Sequence, residues 1–93
     1  MSVVIVGGNE GMAAQYQSIC KEHGCKAKVF PKENGSLKKK LGRPDLLILF
    51  ISTVSHKMVI SVTQEAKKFG VPIARVQSSS ASALRSALAR YSC

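Results

Sequence analysis

Ninety-three residues leave room for one hydrophobic core, burying roughly 65% of the unfolded chain's surface. Hydrophobic residues at 45% and charged residues at 20% exclude an intrinsically disordered chain, and no apolar run approaches the roughly 18–20 residues that span a bilayer. Fourteen Lys and Arg against five acids give a formal net charge of +9, which favours anionic partners: nucleic acid, phosphorylated metabolites or an acidic protein.

The first predicted element is a strand, SVVIV at 2–6, closed by Gly7 and Gly8. Its unbroken apolar run suits a strand covered on both faces. The start MSVVIVGG carries no basic leader region and runs straight into this strand, so the expected location is the cytoplasm. Ala13, Tyr16, Cys20 and His23 then fall at helical steps of three and four, and Gly24 stops that helix. The second strand, KAKVF at 26–30, carries lysines, as an edge strand does to discourage unwanted pairing. Residues 36–41 have room only for a short helix. The third strand, at 46–51, is apolar throughout and ends in the polar stretch STVSH at 52–56. Val59, Val62, Ala66 and Phe69 mark the next helix, stopped at Gly70. The fourth strand, 72–76, opens on a proline, which a first strand position tolerates. After QSSS at 77–80, a last helix repeats the stripe through Ala81, Leu84, Leu88 and Tyr91.

Alternating strands and helices imply right-handed crossovers and a parallel sheet covered by helices. The expected fold class is therefore α/β: one small domain over 1–93, flavodoxin-like or Rossmann-like, with about four strands in the order 2-1-3-4. The order is an analogy with that class of sheet.

Such sheets bind ligands outside the carboxyl ends of their strands, at the switch point between strands one and three. Three loops arrive there: Gly7, Gly8 and Asn9; Thr53, Ser55 and His56; and Ser78, Ser79 and Ser80. Each also has a structural explanation. A glycine pair makes a tight turn, and GGN lacks the dinucleotide and P-loop signatures. Ser55 and one of the three serines would cap helices in any protein. Together, however, the loops offer more hydroxyls than two caps require, beside helix N-termini that attract anions. The expected ligand is a small phosphate- or carboxylate-bearing molecule. Gly7 and Gly8 would let the backbone approach it, Thr53 and the serines would donate hydrogen bonds, and His56 would contact or sense its charge.

Catalysis is poorly supported. No second histidine or carboxylate is placed by sequence to form a relay with His56, and His23 falls in the last turn of its helix, where it favours the C-terminal dipole. No metal site is legible and nothing names a cofactor, although a dimer would bring two His56 side chains together. Cys20, Cys25 and Cys93 match no zinc or redox spacing and read as free thiols.

The basic residues concentrate once, at Lys38, Lys39, Lys40 and Arg43. The alternative function is hence sequence-independent, salt-sensitive nucleic-acid binding through phosphate contacts. Stacking aromatics are scarce nearby, and no base-reading motif is visible.

SVVIVGGNE, STVSHK and SSSASAL together resemble a small bacterial family known only as a domain of unknown function, over nearly the whole chain. The resemblance rests on Gly7, Gly8, Thr53, Ser55, His56 and Ser78 to Ser80. It implies a Rossmann-like domain and no particular reaction. The expectation is thus a regulatory or sensing module, binding a small anion and enlarging its core as a homodimer.

Overall fold

The structure, a computed structural model, describes residues 1–30 and 43–91. Four strands form one parallel sheet: β1 (Ser2–Val6), β2 (Lys26–Phe30), β3 (Leu46–Phe50) and β4 (Ile73–Val76), in the spatial order β2-β1-β3-β4. The helices are α1 (Ala13–Glu22), α2 (His56–Phe69) and α3 (Ala81–Tyr91), with single 3₁₀ turns at Glu10–Met12 and Ile51–Thr53. The expected strand order is therefore observed. The predicted short helix at 36–41 lies outside the described residues.

The order also fixes the layers. β1 connects leftward to β2 through α1, whereas β3 connects rightward to β4 through α2. Right-handed crossovers in opposite directions put their helices on opposite faces. α3 follows β4 and returns to the α1 face. There Val3, Ile5, Leu46, Ile48, Phe50 and Ala74 meet Tyr16, Ile19 and Cys20 of α1 and Leu84, Ala87 and Leu88 of α3. On the other face Val4, Val6, Leu47 and Leu49 meet Met58 and Val62 of α2. Covered twice, β1 beyond Ser2 and the whole of β3 are buried, which is why their sequences do not alternate. β2 does alternate: Ala27 and Val29 turn toward the core while Lys26 and Lys28 are exposed.

Two apolar stripes differ from expectation at their ends. α2 buries Met58, Val62 and Ala66, leaving Phe69 38% exposed beneath the Arg43 guanidinium and the Lys68 ammonium, 5.2 and 5.7 Å from its ring centre. α3 buries Leu84, Ala87 and Leu88, while Tyr91 is 44% exposed. Both exposed aromatics are the last residue of their helix. The His23 ring lies with Nδ1 2.9 Å from the Ile19 carbonyl. A carbonyl can only accept, so Nδ1 carries the proton.

Cys20 and Cys25 are buried free thiols. Burial, reinforced by the neighbouring Cys25, pushes the Cys20 thiol up to about 11. The folded state thus holds its proton more tightly than the unfolded chain. The stabilisation is complete below the ordinary thiol value of 9.0 and is lost as pH rises toward 11. Titrating stability across that window is expected to reveal a loss of up to roughly 3 kcal/mol from this group. Cys20→Ala should remove that part of the slope; identical slopes in the two proteins would refute the assignment.

Candidate functional site

All four strands point the same way, so Val6, Phe30, Phe50 and Val76 end at one edge of the sheet. Around that edge the three predicted loops are joined by two hydroxyl groups. The Gly8 N–H donates to Thr53 Oγ1 at 2.6 Å, and Thr53 Oγ1 in turn donates to the Phe50 carbonyl at 3.0 Å. The Asn9 N–H donates to the Tyr16 hydroxyl at 3.2 Å, and that hydroxyl donates to the Ser79 carbonyl at 2.5 Å. Thr53 therefore fastens the first loop to the end of β3, and Tyr16 fastens it to the loop after β4.

The glycine pair fits between these braces. Gly7 and Gly8 have φ of 88° and 91°, a left-handed backbone that other residues rarely adopt. A Cβ on Gly7 would stand 2.7 Å from Thr53 Oγ1 and 2.8 Å from Val54 Cγ1; one on Gly8 would stand 2.8 Å from Tyr16 Cε2. The space that glycine frees is filled by the protein's own side chains, so the pair is required for the loops to close on one another.

The remaining hydroxyls cap. Ser55 is the N-cap of α2 and its Oγ accepts from the Met58 N–H at 3.2 Å. Ser80 Oγ accepts from the Ala83 N–H at 3.2 Å at the start of α3, and Ser78 Oγ accepts from the Ser80 N–H at 3.3 Å. Accepting an N–H leaves the Ser78 and Ser80 protons able to donate outward, and both residues are exposed. Asn9 Oδ1 accepts from the Gly11 N–H at 2.9 Å and so closes the first turn on itself. His56 is exposed at the first position of α2.

These contacts explain why β3 ends in Thr, Ser and His. Thr53 links two loops, Ser55 caps a helix, and His56 is the polar residue of the three for which neither role accounts. The model of one bacterial family matches residues 2–91, described as uncharacterized protein conserved in bacteria, DUF2325. The chain belongs to the DUF2325 family. No curated protein and no solved structure matches it.

In this DUF2325 chain the structure brings together Gly7, Gly8, Asn9, Thr53 and Ser79 by direct contact or through Tyr16, with Ser55, His56, Ser78 and Ser80 in the same loops. Tyr16 is the residue that sequence reasoning missed, since its helical spacing assigned it to the core stripe. It is indeed fully buried, 5.2 Å ring to ring from Phe50. The signal that could have found it was its hydroxyl, because a buried tyrosine usually needs a polar partner. Of the basic cluster, Lys38, Lys39 and Lys40 lie outside the described residues, and exposed Arg43 sits over Phe69. Among the described residues no group of three His, Cys, Asp or Glu side chains is placed to hold a metal ion, and no helix is long and apolar enough to cross a membrane.

Proposed function

We propose that this domain binds a small phosphate- or carboxylate-bearing ligand at the carboxyl edge of its sheet and works as a sensing or regulatory module without catalysing a reaction. The supporting observation is the bracing of three loops by the Thr53 and Tyr16 hydroxyls. Bracing holds exposed Ser78, Ser80 and His56 in loops that are already closed before a ligand arrives, which reduces the ordering that binding must impose. Ser78 and Ser80 donate hydrogen bonds and His56 supplies an imidazole contact to the anion. A +9 net charge draws anions toward the site. A second copy would add the buried area that a 93-residue chain lacks, so the working unit is a homodimer.

An amide NMR titration with a panel of nucleotides and carboxylates tests this reading. Shifts are expected at Gly8, Thr53, His56 and Ser78 to Ser80, and His56→Ala should weaken binding at least tenfold without unfolding the domain. Unchanged affinity in that variant would remove His56 from the site. A DNA duplex titrated at two salt concentrations provides the competing outcome. Salt-sensitive shifts centred on Lys38 to Lys40 and Arg43 would make the protein a nucleic-acid binder and return the serines to capping alone. Sedimentation of the same sample at two concentrations reads the dimer directly.

A further inference from the structure

We propose that the groove between β4 and α3 is a second binding site, shaped for a phosphorylated ligand of mononucleotide size. The groove encloses about 340 Å³, within the range of small-molecule sites. Its α3 wall is the flank formed by Ala83, Ser86, Ala87 and Arg90, positions three and four apart that share one side of a helix. The small side chains there hold the groove open instead of filling it. Arg90 and Ser78 also line it, Ser78 two residues past the carboxyl end of β4.

Two basic residues border this space. Arg75 of β4 and Arg90 of α3 both line it and both are exposed; among the described residues no acidic side chain lines it. Arg85, five residues earlier in α3, pairs with Glu22 at 4.0 Å; among the described residues no carboxylate makes an ion pair with Arg75 or Arg90. Arg90 projects from the α3 flank, and Arg75, set on the α2 side of the pleat with Ile73, reaches this groove over the open edge of β4. Their guanidinium groups suit the several oxygens of a phosphate, which each can grip in a fork.

Next to this charge stands an aromatic ring. Tyr91 lines the groove and also a hollow of about 480 Å³ on the α2 side of β4, and Arg75 is shared in the same way. Its 44% exposure leaves a ring surface on which a planar group can stack. β4 supplies the polar complement. Among the described residues it pairs with β3 alone, and the Leu47 N–H donates to the Pro72 carbonyl at 3.0 Å. In a parallel ladder this register aims the Arg75 backbone N–H and C=O outward. An adjacent donor and acceptor, with the Gln77 side chain beside them, can meet the edge of a nucleobase. Phosphate on the arginines and base on Tyr91 is the arrangement that uses all these groups.

The groove is distinct from the crevice at the carboxyl edge, since Ser78 alone belongs to both. The test is an NMR titration of the full chain at low salt with AMP, adenosine and inorganic phosphate. AMP is expected to shift Arg75, Gln77, Ser86, Arg90 and Tyr91. Arg90→Gln should raise the Kd read from these five amides at least tenfold and Tyr91→Ala at least threefold. Arg75→Gln is the second charge variant, and thermal melts confirm that each variant is folded. An unaltered Kd in both arginine variants would overturn the site. Inorganic phosphate binding as tightly as AMP would overturn the nucleotide assignment, and so would an oligonucleotide whose affinity at these residues climbs with its length.

Discussion

Alanine at Gly8 is expected to lower the unfolding free energy by about 2–6 kcal/mol, combining left-handed backbone strain with overpacking. The added Cβ would lie 2.8 Å from Tyr16 Cε2, 3.0 Å from the Tyr16 hydroxyl and 3.1 Å from Phe50 Cδ2. Neither ring can retreat. Both are fully buried and packed against one another, so relief on one side compresses the other. Alanine at Gly7 meets the same difficulty, because one of its contacts is the Phe50 backbone carbonyl at 3.1 Å. A domain of this size is stabilised by only about 5–14 kcal/mol in total, so the change removes a large share. Gly24 is the control: its φ is 73°, yet nothing lies within 4 Å of an added Cβ. Urea unfolding of Gly8→Ala and Gly24→Ala therefore separates crowding from strain. Equal losses at the two positions would mean that the rings yield and that crowding contributes little.

The contrast between those glycines shows what could be read in advance. Periodicity exposed the strands and helices, since burial on two faces leaves unbroken apolar runs such as LLILF and burial on one leaves helical stripes. The stops at Gly24 and Gly70 were equally legible, because a left-handed cap is a local requirement. The ends of the stripes were not. Whether Phe69 and Tyr91 are covered depends on what the neighbouring elements place against them, a property of the assembled layers. The meeting of the three candidate loops was legible, since parallel topology delivers all strand ends to one edge. Individual roles were hidden because the deciding contacts span long stretches of chain. Gly8 meets Thr53 across 45 residues and Tyr16 meets Ser79 across 63. A one-dimensional pattern classifies Tyr16 as apolar and Thr53 as polar. In the folded chain the two act alike, since each hydroxyl accepts a loop N–H and donates to a carbonyl at the same edge.

That shared bracing leads to the second large effect. Tyr16→Phe keeps the ring and deletes the hydroxyl, leaving the Asn9 N–H and the Ser79 carbonyl without their partner. The expected loss is about 1–3 kcal/mol, the cost of unpaired groups that water reaches poorly. Thr53→Val should cost less, about 0.5–1.5 kcal/mol, because Thr53 is exposed and water can replace its oxygen at the Gly8 N–H. The two changes act on consecutive residues of one loop, so their effects should not add. Once either brace is gone the loop is already partly released, and removing the other releases less. A double-mutant cycle followed by urea unfolding is expected to show coupling of at least about 0.5 kcal/mol. Amide exchange at Gly8 and Asn9 should quicken in each single variant, including at the residue whose own bond remains. If ligand binding depends on a crevice closed in advance, Tyr16→Phe will also weaken it, although Tyr16 is buried away from any ligand. Strict additivity with exchange confined to the cut bond would mean that the loops are held independently, and the braced crevice would lose its physical basis.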